Sequence, residues 1–311
     1  MSSLFRRSIL WLTERGVVRR LLTERRVGRR IVGRFVAGDS LEDGIEAARS
    51  LHRQGVSGML DLLGENVGSP AQAAASADAY IRGLKRIREF PEIDCNISVK
   101  LTQLGLDVSP DVCMENLERV LQVASEPDRP TLVMIDMEAF EYVDRTLELY
   151  LGLRERYSNV GVCLQAYLRR TDSDAGRIAG PRAIVRMAKG AYLEPPEVTY
   201  AGRGEVRRNY ARVAATLLGA GSLVHLATHD PRLIEGARRF IRTHSISPAR
   251  YEFQMLYGIR RDLQQQLTRE REPVRVYVPY GMQWYPYLTR RLAERPANVW
   301  FFVSNFLRRG G

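Results

Sequence analysis

The sequence predicts a (β/α)8 barrel, and three observations carry that prediction. Eight strand-length runs rich in β-branched and apolar residues recur between residues 56 and 280. Segments of helical period separate them, and eight such pairs in about 250 residues match the count and length of that barrel. Polar and charged residues collect at the C-terminal ends of the runs rather than along them. An open doubly wound sheet would alternate in the same way. No Gly-x-Gly-x-x-Gly follows the first run or occurs elsewhere, which removes the usual reason to prefer it.

Residues 1–38 form a basic arm and residues 39–311 the barrel domain. In the arm Leu4, Phe5, Ile9, Trp11, Leu12, Val17, Val18, Leu21 and Leu22 are interleaved with arginines, the pattern of short amphipathic helices. Such a helix can lie on an anionic membrane surface, or pack on its own domain or a partner subunit. Ser40 is placed to cap the next helix, with Asp43 in the capping-box position. The strands are expected at 56–63, 95–101, 131–137, 160–167, 183–189, 222–228, 250–255 and 274–280. Helices are expected at 70–90, 111–124, 139–157, 206–220, 231–243 and 258–268, while 171–181 is short for one. The last strand stops at Pro279 and Gly281. Beyond it Tyr287, Arg290, Arg291 and Glu294 share one helical face, and Trp284, Leu288 and Leu292 another. Adjacent arginines opposite an apolar stripe can grip a small carboxylate, because a guanidinium fork matches its geometry.

The 311 residues are 45% hydrophobic and 27% charged, ordinary for a globular domain with a large core. No apolar run nears the roughly 20 residues a spanning helix needs, and residues 8–12 are too short for a signal-peptide core. Cys95, Cys113 and Cys163 are odd in number and widely spaced, which suggests reduced, buried thiols in a cytoplasmic protein, and no metal site is expected. Of the net charge of +11, residues 1–38 supply +8. The barrel is therefore near neutral, which argues against a nucleic-acid groove across the fold.

The strand ends carry the chemistry in such a barrel. Here they supply Glu65, Lys100, Asp136, Met137, Gln165, Arg186, Lys189, Gly190, Ala191, Thr228, His229, Tyr277 and Tyr280. Charged groups at the ends of apolar strands are costly without partners or a ligand. Lys100 and Asp136 could form an ion pair at the mouth, and His229 could be structural. His225 is read as core or supporting, His52 and His244 as surface residues, and Glu65 and Glu252 as orienting their neighbours. Lys189-Gly190-Ala191, with Thr228 and His229 on the next strand, is suited to a diphosphate, since a glycine lets the backbone approach it. Arg186 would point into the mouth, where a cation stabilises an electron-rich reduced flavin.

Eight ordered motifs resemble the proline dehydrogenase family, flavin-dependent barrel enzymes of proline catabolism, in its bacterial monofunctional form. They include Leu60-Asp-Leu-Leu-Gly-Glu65, Ser98-Val-Lys-Leu-Thr-Gln-Leu-Gly-Leu-Asp107, Ile135-Asp-Met-Glu138, Gln165-Ala-Tyr-Leu-Arg-Arg170, Arg186-Met-Ala-Lys-Gly-Ala-Tyr192, Ala227-Thr-His-Asp230, Glu252-Phe-Gln-Met-Leu-Tyr-Gly258 and Tyr277-Val-Pro-Tyr-Gly281, before Tyr287-Leu-Thr-Arg-Arg291. The resemblance covers about residues 56–303 and implies oxidation of L-proline to 1-pyrroline-5-carboxylate with FAD. It assigns the proline carboxylate to Lys100, Arg290 and Arg291, and the active-site positions to Asp136 and Arg186. Met137, Gln165, Lys189, Gly190, Ala191, Thr228 and His229 would contact FAD, with Arg186 beside the flavin ring, and Tyr277 would pack on the proline ring. It further implies a quinone-type membrane acceptor, which gives the basic arm a peripheral role at the inner face of the membrane. Rival readings are a hydroxyproline dehydrogenase, another flavin barrel such as a methylenetetrahydrofolate reductase, and a non-catalytic basic binding module.

Overall fold

The computed structural model describes residues 32–294, with side chains placed as far as Thr289. Within that span eight parallel strands close into a barrel in sequence order: β1 Ser57–Leu62, β2 Cys95–Val99, β3 Val133–Ile135, β4 Val160–Gln165, β5 Ile184–Ala188, β6 Leu223–Ala227, β7 Tyr251–Leu256 and β8 Val274–Tyr280. β8 pairs back on β1 from Ser57↔Arg275 to Leu62↔Tyr280, which completes the ring. The surrounding helices are α1 Leu41–His52, α2 Pro70–Arg88, α3 Pro110–Ala124, α4 Val143–Arg154, α5 Thr171–Ile178, α6 Arg203–Gly219, α7 Pro231–Thr243, α8 Arg261–Arg269 and α9 Trp284–Glu294. The short segment after β4 does form a helix, α5, and α4 is preceded by a 3-10 turn at Phe140–Tyr142.

Local chemistry sets the helix starts. Ser69, Ser109 and Asp230 each precede a proline that opens α2, α3 or α7, and each side chain accepts a backbone N–H of the first turn. A proline there loses no helical hydrogen bond, and its fixed φ suits the helix. Ser40 and Asp43 form the expected capping box at α1.

Strand alternation sorts the side chains into two sets. Ile97, Val133, Val162, Val185, Val224 and Phe253 are at most 2% exposed and belong to the core between strands and helices. The other phase supplies Asp61, Ser98, Arg186, His225, Gln254 and Tyr277, whose polar groups reach into one hydrogen-bonded interior. A side chain buried among aliphatics stabilises by roughly 1.5–3 kcal/mol. The outward-facing rows therefore hold the barrel closed while its interior stays polar. All three cysteines are buried and reduced, as expected.

The end of the arm belongs to this structure. Residues 32–35 are helical, and Phe35 and Val36 pack with Leu63, Tyr287 and Leu288. Ala37 N–H donates to Pro279 O at 2.8 Å, and Gly281 N–H to Gly38 O at 2.9 Å, tying this segment to the end of β8. Gly258 has φ +70°, and a Cβ there would lie 1.6 Å from Arg34 O, so only glycine allows the approach. On α9, Tyr287 is 7% exposed and packs with Val32, Phe35 and Val36. Among the described residues no helix is long and apolar enough to cross a membrane.

Candidate active site

Four charged side chains from four strands meet at the C-terminal mouth of the barrel. Asp136, just past β3, is the hub: Arg186 from β5 pairs with its Oδ1, and Lys100, just past β2, reaches its Oδ2 at 3.3 Å. Ser98 Oγ donates to Asp136 Oδ1 at 2.6 Å, and Tyr277 Oη donates to Oδ2 at 2.8 Å. Lys100 also pairs directly with Asp61 of β1, a residue with no exposed surface. Arg186 lies over the Tyr277 ring, 5.2 Å from its centroid, so that ring is gripped by a cation on its face and a carboxylate at its hydroxyl.

Two carboxylates and two cations balance in charge, which is what makes their burial tolerable. Burial opposes ionisation of Asp136, but Lys100 and Arg186, helped by the Ser98 and Tyr277 hydroxyls, outweigh it and hold the carboxyl below its usual range. Burial alone would strip Lys100 of its proton, and the neighbouring Asp61 and Asp136 keep it charged. At Asp61 full burial prevails over Lys100 and raises the carboxyl. Glu138 accepts from Thr102 N at 3.1 Å and Thr102 Oγ1 at 2.6 Å, yet its burial still pushes its pKa up to about 7. Asp136, ionised and already holding four donors, is suited to orienting cations rather than to removing a proton.

The residues assigned to a cofactor lie on neighbouring strands around the same mouth. Gln165, at the end of β4, donates to Met137 O at 3.0 Å, while its Oε1 is buried with no hydrogen-bond partner among the described residues. An orphaned acceptor at a strand end fits a ligand that brings N–H or O–H donors, as a flavin does. Gly190 has φ +114°, and a Cβ there would strike the Tyr167 ring at 2.1 Å, so the Lys189-Gly190-Ala191 turn requires its glycine. Lys189 donates to Asp230 Oδ2 at 2.7 Å, and Thr228 Oγ1 accepts from Asp230 N at 3.2 Å. His229 Nε2 accepts from Leu256 N at 3.0 Å, so its proton sits on Nδ1.

Lys100, Asp136, Arg186 and Tyr277 thus converge directly, with Met137 and Gln165 beside them. Lys189, Gly190, Thr228 and His229 form the adjoining rim. The side chains of Arg290 and Arg291 lie outside the described residues, as does the arm before residue 32; α9 itself is present, anchored at the mouth by Tyr287 and Leu288. His225 is buried at 2% exposure, and Glu252 is engaged by Arg275 Nε at 2.9 Å, as supporting residues should be. Sequence reasoning missed Asp61. Its signal was available, since it is the one charged residue of β1, in phase with Met59 and next to the strand's last residue.

The Proline dehydrogenase family profile matches residues 44–304. Proline dehydrogenase of Deinococcus radiodurans is 40% identical over 313 residues, covering 99% of both chains. Proline dehydrogenase 2 of Bacillus subtilis strain 168 is 35% identical over 301 residues, covering 96% of this chain and 98% of that one. Among solved structures, proline utilization A (PutA) from Bdellovibrio bacteriovorus, inactivated by N-propargylglycine, superposes with a TM-score of 0.79 at 24% identity. It aligns with 86% of this chain, which spans 33% of that larger protein. The barrel, the motifs at its mouth and relatives of matching length lead to one conclusion: the chain belongs to the proline dehydrogenase family, oxidoreductases acting on the CH–NH group of proline.

Proposed function

We propose that the chain binds FAD across the mouth of the barrel and uses it to oxidise L-proline to 1-pyrroline-5-carboxylate. The observation that carries this reading is the four-way cluster of Asp61, Lys100, Asp136 and Arg186 beside an orphaned acceptor on Gln165. Met137, Gln165, Lys189, Gly190, Ala191, Thr228 and His229 would hold the cofactor, with Arg186 as the cation nearest its ring. A flavin held there supplies a two-electron acceptor for the ring C–H beside the proline nitrogen. Lys100, with Arg290 and Arg291 on α9, would clamp the proline carboxylate. Fixing one edge of so small a substrate is a positioning effect worth several kcal/mol. Tyr277, held from both sides, would form the wall against the proline ring. Asp136 keeps Lys100 and Arg186 charged and aimed. The substrate amine must lose its proton before the C–H bond breaks, so turnover should slow as pH falls.

The electrons are proposed to pass to a quinone-type acceptor in the membrane. The arm, residues 1–38, would bring the barrel domain, residues 39–311, to its inner face through arginines and apolar side chains. The relative from Bdellovibrio bacteriovorus was inactivated by N-propargylglycine, a secondary amine carrying a carboxylate, which is the pair of groups this mouth is proposed to read. Steady-state kinetics test the clamp. Arg290→Ala and Arg291→Ala should each raise KM for L-proline by about 10–100-fold, as loss of a charged hydrogen bond does, with FAD still bound. Near-normal KM in both variants would remove the clamp.

A further inference from the structure

Beneath Asp136 the barrel interior holds a second polar layer that, among the described residues, hydrogen-bonds to the mouth through Gln254 of β7. The side-chain oxygen of Gln254 accepts from Arg186 Nε at 2.8 Å. Its amide nitrogen donates to Glu252 Oε1 at 2.6 Å and to His225 Nδ1 at 2.8 Å. Arg186 can only donate and ionised Glu252 can only accept, so the amide has one orientation that satisfies both. His225 must then accept at Nδ1 and carry its proton on Nε2. That requires a neutral imidazole, and burial, against the pull of Glu252, pushes its pKa down to about 4.

The layer is anchored from below. Arg275 Nε donates to both Glu252 oxygens, at 2.9 and 3.1 Å, and its Nη1 donates to Gly58 O at 2.8 Å. Asp94, on the opposite end of the barrel, binds the same guanidinium at 2.9 Å. Strand register places these groups side by side: Arg186 pairs with His225, His225 with Glu252, and Gln254 with Arg275. His225, Gln254 and Arg275 are 2, 4 and 6% exposed, so the amide is shielded from bulk water.

Arg186 has two anchors of different kinds. Asp136 and Ser98 hold the Nη1 end, and Gln254 holds Nε. A carboxylate alone leaves a guanidinium able to pivot, while a fixed acceptor at Nε sets its plane. We propose that Gln254, held by the Glu252–Arg275 pair and by His225, is a positioning residue that fixes the Arg186 guanidinium toward Asp136 and the flavin. The inference rests on Arg186 being the cation beside the flavin.

Gln254→Met, close in shape but without a hydrogen-bonding end, tests it. In flavin-free wild-type protein the Arg186 Nε–H should exchange slowly by 15N NMR, and in the variant about 100-fold faster or more. In the flavin-loaded variant kcat should fall about tenfold, the effect of one lost buried hydrogen bond, while KM for L-proline stays within about twofold. The flavin reduction potential should become more negative as the cation loosens. An Arg186 Nε–H as protected in Gln254→Met as in the wild type would overturn the proposal, as would unchanged kcat and potential. If Gln254→Met does not fold, Glu252→Gln serves: it removes the charge that orients the amide, and must speed the same exchange or the proposal fails. Wild-type protein that holds no flavin would sink the oxidation reading instead, leaving the exchange measurement to judge the role of Gln254.

Discussion

Replacing Asp61 by asparagine removes one of the two counter-charges of a buried lysine while keeping its shape. Asp61 is fully buried and pairs with Lys100, whose remaining carboxylate, Asp136, is 3.3 Å away. Removing one partner of a buried pair costs about 3–5 kcal/mol when nothing replaces it. Lys100 keeps Asp136, so the expected cost is lower, about 2–3 kcal/mol. At about 2 °C per kcal/mol for a chain of this size, Tm should drop by about 4–6 °C. The kinetic effect follows from competition. Asp136 already accepts from Arg186, Ser98 and Tyr277, and a Lys100 deprived of Asp61 is drawn onto the same carboxylate. The cluster loses its set geometry, and kcat/KM for L-proline should fall at least about tenfold, the equivalent of about 1.4 kcal/mol. Calorimetry on the substrate-free protein and steady-state kinetics measure the two effects. A double-mutant cycle with Lys100→Met isolates the pair, whose coupling should exceed about 1 kcal/mol. Additive losses, or Asp61→Asn with wild-type Tm and kcat/KM, would refute the idea that Asp61 fixes Lys100.

Glu138 gives the protein a pH response that can be assigned to one residue. Its folded pKa, pushed up to about 7 by burial, lies above the 4.5 of an unperturbed glutamate, so the native state binds the extra proton. The stability it contributes is therefore present at low pH and is lost as pH rises from about 4.5 to 7, by up to roughly 3 kcal/mol. Thermal melts across that range should show the difference between Glu138→Gln and wild type growing in the variant's favour with pH; a constant difference would mean that folding leaves the Glu138 pKa unchanged. For the arm, deleting residues 1–30 should weaken binding to anionic liposomes about tenfold or more while dye-linked activity persists, since each lost arginine near such a surface is worth about 1 kcal/mol. The cut stops there because Val32, Phe35 and Val36 are part of the packed domain. Unchanged liposome binding would deny the arm a membrane role.

The alternation of runs made the barrel legible, because strand and helix periods are local properties. Seven of the eight strands fall inside their expected spans, β7 runs one residue past its span to Leu256, and β3 is shortest at Val133–Ile135. The helix after it starts at Val143 rather than 139 because residues 140–142 form a 3-10 turn instead. Lys100, Asp136 and Arg186 were within reach of sequence reasoning because each is a charged residue within or just past an apolar strand. Asp61 and Gln254 carry the same kind of signal, but the partners they meet were out of reach, for a reason of register. Which inward residue meets which depends on the stagger of strands far apart in the chain, as where Gln254 meets Arg186 across 68 residues. The burial of Tyr287 was out of reach for the same reason, since the residues that pack on it lie near the other end of the chain.

The most direct measurement is the absorption spectrum of the purified protein under anaerobic conditions, before and after L-proline. A flavin band that bleaches on addition of L-proline, and returns on adding a quinone, is the predicted result. A protein that purifies and folds with no flavin band, or whose band is indifferent to L-proline, would contradict the proposal that this mouth joins the two.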